Sequence, residues 1–144
     1  MLKGYIEGYY GRLFSQEERS HLLRHMGKLK MDFYLYGPKE DPYHRVLWEK
    51  PYPSKYEKVL EDFVKQSKKN KIRPVFAISP GLKGNKSTAH YRKFLAIKIK
   101  QAKRLGFEEF AIFFDDIDHK RDEGLATKHL EILELVSSFN IPAN

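Results

Sequence analysis

Four short apolar runs, each followed by a stretch of helical periodicity, set the limits on what this chain can fold into. The runs are Gly4 to Tyr9, Phe33 to Tyr36, Ile72 to Ser79 and Ala111 to Phe114. Each stops at a chain-bending or charged signal: Gly8 and Gly11, Gly37-Pro38, Pro80-Gly81, and Asp115-Asp116. The first helix opens on a capping box, Ser15 with Glu18, and carries Leu22, Leu23, Met26 and Leu29 at helical spacing. Tyr56, Val59, Leu60, Phe63 and Val64 mark a second helix. Tyr91, Phe94, Leu95, Ile99, Ala102 and Leu105 mark a third, with Gly106 as its stop, and Leu125, Leu130, Leu133 and Val136 a fourth. Strands separated by helices predict a parallel α/β sheet with right-handed crossovers. Nothing in residues 1–144 reads as a linker, so a single domain is expected.

The stretch Phe110 to Asp118, FAIFFDDID, concentrates the chemistry. Ala111 to Phe114 reads as a strand buried on both faces. Asp115 and Asp116 then fall where it ends, and an unpaired buried carboxylate costs several kcal/mol, roughly. Parallel α/β folds gather their sites at the C-terminal ends of strands. Glycosidic chemistry uses two carboxyl groups on one site, one ionised and one protonated. A capping pair that opens a loop is the plainer reading of these residues alone. A second charged cluster, Lys39, Glu40 and Asp41, follows the second run in the same manner.

The chain has no cysteine, which excludes disulfides, thiolate chemistry and Cys-based metal sites. No apolar run approaches the ~20 residues of a membrane span, and the N-terminus lacks a signal-peptide core, so a cytoplasmic location is the default expectation. The formal net charge of +8 raises a nucleic-acid reading. Its lysines (Lys65, Lys68, Lys69, Lys71, Lys98, Lys100 and Lys103 among them) are scattered over helix faces and turns, which reads as a solvated surface. His21 and His25 stand four apart on the first helix, but no third ligand accompanies them, so no metal site is assigned. Between Pro42 and Pro53 the aromatics Tyr43, Trp48 and Tyr52 mark a structured loop. They either stack on a ligand or pin the loop to itself.

Taken together, four blocks resemble glycoside hydrolase family 84, the β-N-acetylglucosaminidases. They are IEGYYGR (Ile6 to Arg12), YGPKEDPYHR (Tyr36 to Arg45), FAISPGL (Phe76 to Leu82) and FAIFFDDID, one at each strand end and in order. Tyr9, Gly37 and Glu40 depart from the phenylalanine, alanine and aspartate usual in that family. The resemblance implies a (β/α)8 barrel and retaining hydrolysis of terminal N-acetylglucosamine. In it the substrate's own acetamido oxygen is the nucleophile, through an oxazoline, and no cofactor or metal takes part. By position, Asp115 would orient the acetamido N–H, and Asp116 would serve as general acid and then base. Lys39 and the Gly8 carbonyl would bind sugar hydroxyls. A glycoconjugate or glycoprotein bearing N-acetylglucosamine is then the expected partner, with no membrane partner and nucleic acid only as a remote alternative.

The same resemblance sets a difficulty. Such a barrel needs eight βα units, and four are legible here. The expectation is therefore a parallel (βα)4 half of a TIM-type barrel, whose inner face and two edges want a partner. Two chains closing a barrel as a homodimer, a complementary half-barrel chain, an open sheet standing alone, and a truncated remnant that binds sugar or a partner without turnover all remain open. Adjacent strand residues point to opposite faces, so Asp115 and Asp116 can share a pocket only if the backbone turns irregular from Asp115 onward.

Overall fold

The structure, a computed structural model, describes residues 1–81, 86–114 and 124–139. Strands and helices alternate along it: β1 (Gly4–Glu7), α1 (Gln16–Lys28), β2 (Phe33–Tyr36), α2 (Ser54–Lys69), β3 (Arg73–Ile78), α3 (Thr88–Arg104), β4 (Glu109–Ile112) and α4 (Leu125–Phe139). The sheet order is β1-β2-β3-β4 and every neighbouring pair is parallel. This is the parallel α/β sheet expected from the alternation, and its four βα units are those expected of half a barrel from the resemblance. Among the described residues no helix is long and apolar enough to cross a membrane.

Local chemistry explains the boundaries. Ser15 and Glu18 close the expected capping box at the start of α1. Ser87 accepts from His90 N–H at the start of α3. Gly106 ends that helix at φ 98°, where a Cβ would stand 3.0 Å from Val64 Cγ1.

The two faces of the sheet have different tasks. Tyr5, Tyr34, Tyr36, Phe76, Ile78, Phe110 and Ile112 face the helices and join the large core with Leu23, Met26, Leu60, Phe63, Leu95, Ile99 and Ile132. The opposite face holds a smaller cluster, Leu35, Val75 and Ala77, with Phe33, Ala111 and Phe113 against it. The pairing puts Ile6, Leu35, Val75 and Glu109 in one row across that face. One step toward the C-terminal ends the row is small throughout. Ala77 pairs Ala111, and extending the register by one residue brings Gly8 and Gly37 beside them.

Three expectations need correction. β4 is half-buried along its length rather than buried on both faces, because it is a sheet edge with the helix layer on one side only. In α4 the buried residues are Ile132, Leu135 and Val136, while Leu130 and Leu133 are exposed. The i, i+3, i+4 set 132/135/136 is the compact stripe, and the chosen leucines flank it. Lys98, read as a surface lysine, is 1% exposed. It falls on the inward stripe of α3 with Tyr91, Leu95, Ile99 and Ala102.

A buried ion pair joins β1 to α1. Glu7 has no exposed surface. It accepts from Arg19 Nε at 3.0 Å and Nη2 at 2.7 Å, and from Tyr34 Oη at 2.7 Å. Arg19 lies 5.2 Å over the Tyr36 ring. A dry carboxylate so bonded is tolerated, whereas one stripped of its cation is not. We therefore expect Arg19→Met to lower stability by about 3–5 kcal/mol and the joint Glu7→Leu/Arg19→Met change to lower it by clearly less. Urea midpoints of the two variants check this, and a double variant as unstable as the single one contradicts it.

Candidate active site

The C-terminal ends of the strands form a mouth, and backbone pairing delivers residues to it beyond the strands proper. Gly37 N–H donates to Glu7 carbonyl oxygen at 3.1 Å and Lys39 N–H to Tyr9 carbonyl oxygen at 3.3 Å. With the carbonyls of residues 7 and 9 both committed to the β2 side, the Gly8 carbonyl between them turns away from β2. On the other flank, Phe113 N–H donates to Ile78 carbonyl oxygen at 2.9 Å, which carries the β3–β4 ladder into the same mouth.

Side chains converge there. Lys39 is largely buried, with its Nζ 5.8 Å from the ring centre of Tyr10 and 5.8 Å from that of Phe113. Arg45 lies 5.6 Å over the other partner of this group, the exposed Tyr10 ring, and reaches its hydroxyl at 3.4 Å. His44 is fully buried and meets Phe113 edge-on at 6.2 Å, while its carbonyl accepts from Ser79 N–H at 2.9 Å. Gly8 and Lys39 are thus brought to one end of the sheet, just past β1 and just past β2. Asp115 and Asp116, and with them Asp118 and the expected irregular backbone, lie outside the described residues.

A family model described as beta-N-acetylglucosaminidase matches residues 3–140. Protein O-GlcNAcase from Rattus norvegicus and from Mus musculus are each 36% identical to this chain over 118 residues, 82% of it. That span is 13% of either relative's length. A solved structure of CpGH84B superposes with a TM-score of 0.80 at 36% identity, over 96% of this chain and 24% of that one. An O-GlcNAc hydrolase mutant from Thermobaculum terrenum superposes at 0.81 and 29% identity, over 95% of this chain and 32% of that one.

The chain belongs to the β-N-acetylglucosaminidase family. It spans about an eighth of the length of the curated relatives it matches.

In this member of the family the loop that carries Lys39 is tied down from inside. Asp41 is fully buried and accepts from Tyr36 Oη at 2.7 Å, Tyr52 Oη at 2.8 Å and Tyr43 N–H at 2.8 Å. Burial first, and then the Asp41 charge, push both tyrosine hydroxyls well above their ordinary pKa. Lys98 reaches across from α3 and donates to the carbonyls of Tyr43, at 2.8 Å, and Lys50. Its ammonium sits 4.4 Å over the Tyr52 ring. Gln101 brackets Tyr52 further, accepting from its N–H at 2.8 Å and donating to its carbonyl at 2.9 Å. Trp48 is buried and stacks on Tyr91 at 5.7 Å. The loop aromatics Trp48 and Tyr52 therefore pin the loop rather than stack on a ligand. His21 and His25 are exposed with ring centres 4.4 Å apart, and among the described residues no cluster of three metal-binding side chains occurs.

Sequence reasoning missed Asp41, Lys98, His44 and Phe113. In the sequence Asp41 is only one member of a charged cluster. Its alternation with tyrosines at 36, 43 and 52 carries no period that marks it. Lys98 had a usable signal, because its position completes the inward stripe of α3.

Burial lowers the Lys98 ammonium to about 8 from the ordinary 10.5, with the nearby Asp41 charge opposing. Between those values the unfolded chain binds more protons, so stability rises with pH through that window. Above about pH 10 the buried tyrosines reverse the trend, since unfolding then lets them ionise. Wild-type protein is expected to gain about 1–2 kcal/mol over Lys98→Met between roughly pH 7.5 and 9.5. Chemical denaturation across that range reads it. Parallel curves for the two proteins would show that Lys98 titrates as an exposed lysine does.

Proposed function

We propose that the chain is a catalytic-domain fragment, the N-terminal half of a β-N-acetylglucosaminidase barrel that acts on terminal N-acetylglucosamine of glycoconjugates with retention of configuration. The observation that carries the proposal is the placement of Gly8 and Lys39 at the strand ends to which β4 leads. Phe113, two residues before Asp115, lies in that same mouth. In this reading the Gly8 carbonyl accepts from one sugar hydroxyl and the Lys39 ammonium donates to another. Both contacts fix the pyranose without touching the reacting carbon, which is the positioning part of catalysis.

The chemical step follows from the acid pair. The acetamido oxygen attacks the anomeric carbon as the bond to the leaving oxygen breaks, and an oxazoline forms. Asp116 gives its proton to the leaving oxygen. It then takes one from the water that opens the oxazoline, and so returns to its starting state. Asp115, as an anion, accepts from the acetamido N–H and stabilises the positive charge that grows on that nitrogen. Adjacent carboxyls separate their titrations, so the pair holds one proton between them over a range of pH and titrates as a unit.

A second reading has support in the sheet itself. β1 and β4 are the two edges among the described residues, and the fold needs eight strands to close. Sugar binding without turnover, or turnover only once a second copy or complementary chain supplies the other strands, fits that arrangement. The deciding assay is hydrolysis of an aryl N-acetylglucosaminide by purified chain beside Asp116→Asn. The proposal expects release in the first and a loss of about 100-fold or more in the second. Equal release from both means the pair does no chemistry here. Absence of release, with N-acetylglucosamine retained by wild type and lost by Lys39→Ala, selects the binding reading.

A further inference from the structure

The residue that shapes the floor of the mouth is Phe113, and Gly37 is what admits it. The row at the C-terminal end of the inner face is Gly8, Gly37, Ala77 and Ala111, small at all four strands. Phe113 stands at the next inward position of β4's path and lies back across that row. A Cβ built on Gly37 would come 2.7 Å from Phe113 Cε2, 3.3 Å from its Cζ and 2.8 Å from Ala77 Cβ. One on Gly8 would come 4.0 Å from the same Cε2. Contacts under 3.0 Å to both a ring and a neighbouring Cβ cannot be relieved by a small rotation of one group, because Ala77 has nothing to rotate. Gly37 and Phe113 therefore act as one packing unit, the volume absent from one position being filled by the other.

That unit borders the groups assigned to the sugar. The ring edge is beside Gly8, and Lys39 Nζ lies 5.8 Å from the ring centre. His44 closes the far side edge-on. A ring in that place does two things. It offers an apolar face to the C–H side of a pyranose, and it helps set the ammonium's position through the cation–π attraction. We propose that Phe113 is a sugar-contacting and positioning residue of this site, that its pose depends on glycine at position 37, and that the pair sets how deep an N-acetylhexosamine seats. The proposal rests on the reading of the mouth as a sugar site, while the packing dependence between the two residues stands apart from it.

Two measurements on the purified chain separate these parts. Thermal unfolding of wild type, Gly37→Ala, Phe113→Leu and the joint variant reads the packing. Gly37→Ala is expected to lower Tm by about 5 °C, and the joint variant to fall within about 2 °C of Phe113→Leu alone. Affinity for N-acetylglucosamine by isothermal titration reads the site. Phe113→Leu, folded, is expected to bind about 5- to 10-fold more weakly, and Phe113→Tyr, which keeps the ring, to stay within about 2-fold. Additive losses of Tm overturn the coupling. Coupled Tm values with undiminished affinity in Phe113→Leu reduce the ring to a core residue and overturn its role toward sugar. Coupled Tm values with no binding by wild type withdraw the sugar-site reading, and the assignment of Phe113 to it falls as well.

Discussion

The mouth depends on Asp41, a carboxylate with no exposed surface that touches no part of the proposed substrate site. It takes both tyrosine hydroxyls available to it, Tyr36 at the end of β2 and Tyr52 at the far end of the loop, together with the N–H of Tyr43. A buried acid bonded three ways is costly to disturb, since each released donor loses its partner in a dry place. Lys98 adds a second tie from α3, through the carbonyls of Tyr43 and Lys50. The loop is therefore anchored near both ends, and Lys39 leaves β2 on a path already fixed. In the proposed reading Lys39 must meet one sugar hydroxyl, and a long side chain needs that constraint because most of its own torsions are free.

The same logic holds on β1. Glu7, bonded to Arg19 and Tyr34, holds the strand that presents Gly8. Both buried acids lie on the helix side of the sheet or beneath the loop, while Gly8, Gly37 and Phe113 work on the other face. The two faces thus divide the labour. Charge buried among helices sets the backbone, and the small-residue row on the inner face leaves room for the Phe113 ring. Parallel strands of one register suit this division, because alternate residues serve opposite faces at every step.

Much of this was legible in the amino-acid order. The βα alternation, the capping box at Ser15, the stop at Gly106 and the parallel sheet followed from periodicity and turn residues. The place of Gly8 and Lys39 at one mouth followed from where strands end. Other features had no local signature. Glu7 and Asp41 look like surface acids until the partners 12 and 11 residues away are known. Lys98 looks like one of many lysines until its neighbours on α3 are seen to be buried. The edge position of β4 cannot be read from its own residues, since an apolar run reads alike whether one face is covered or two. In the sequence Gly37 is simply a departure from the alanine usual in the family. The ring of Phe113, 76 residues along the chain, together with Ala77 gives that difference a consequence.

The central claim is that the C-terminal ends of β1, β2 and β4 hold an N-acetylglucosamine residue. Backbone amide shifts of the labelled chain, followed as N-acetylglucosamine is added, test it most directly. The account predicts saturable changes grouped at Gly8, Tyr9, Gly37, Lys39 and Phe113, with the opposite end around Lys71 and Arg73 silent. Changes confined to that opposite end, or spread evenly over the surface lysines, would contradict it.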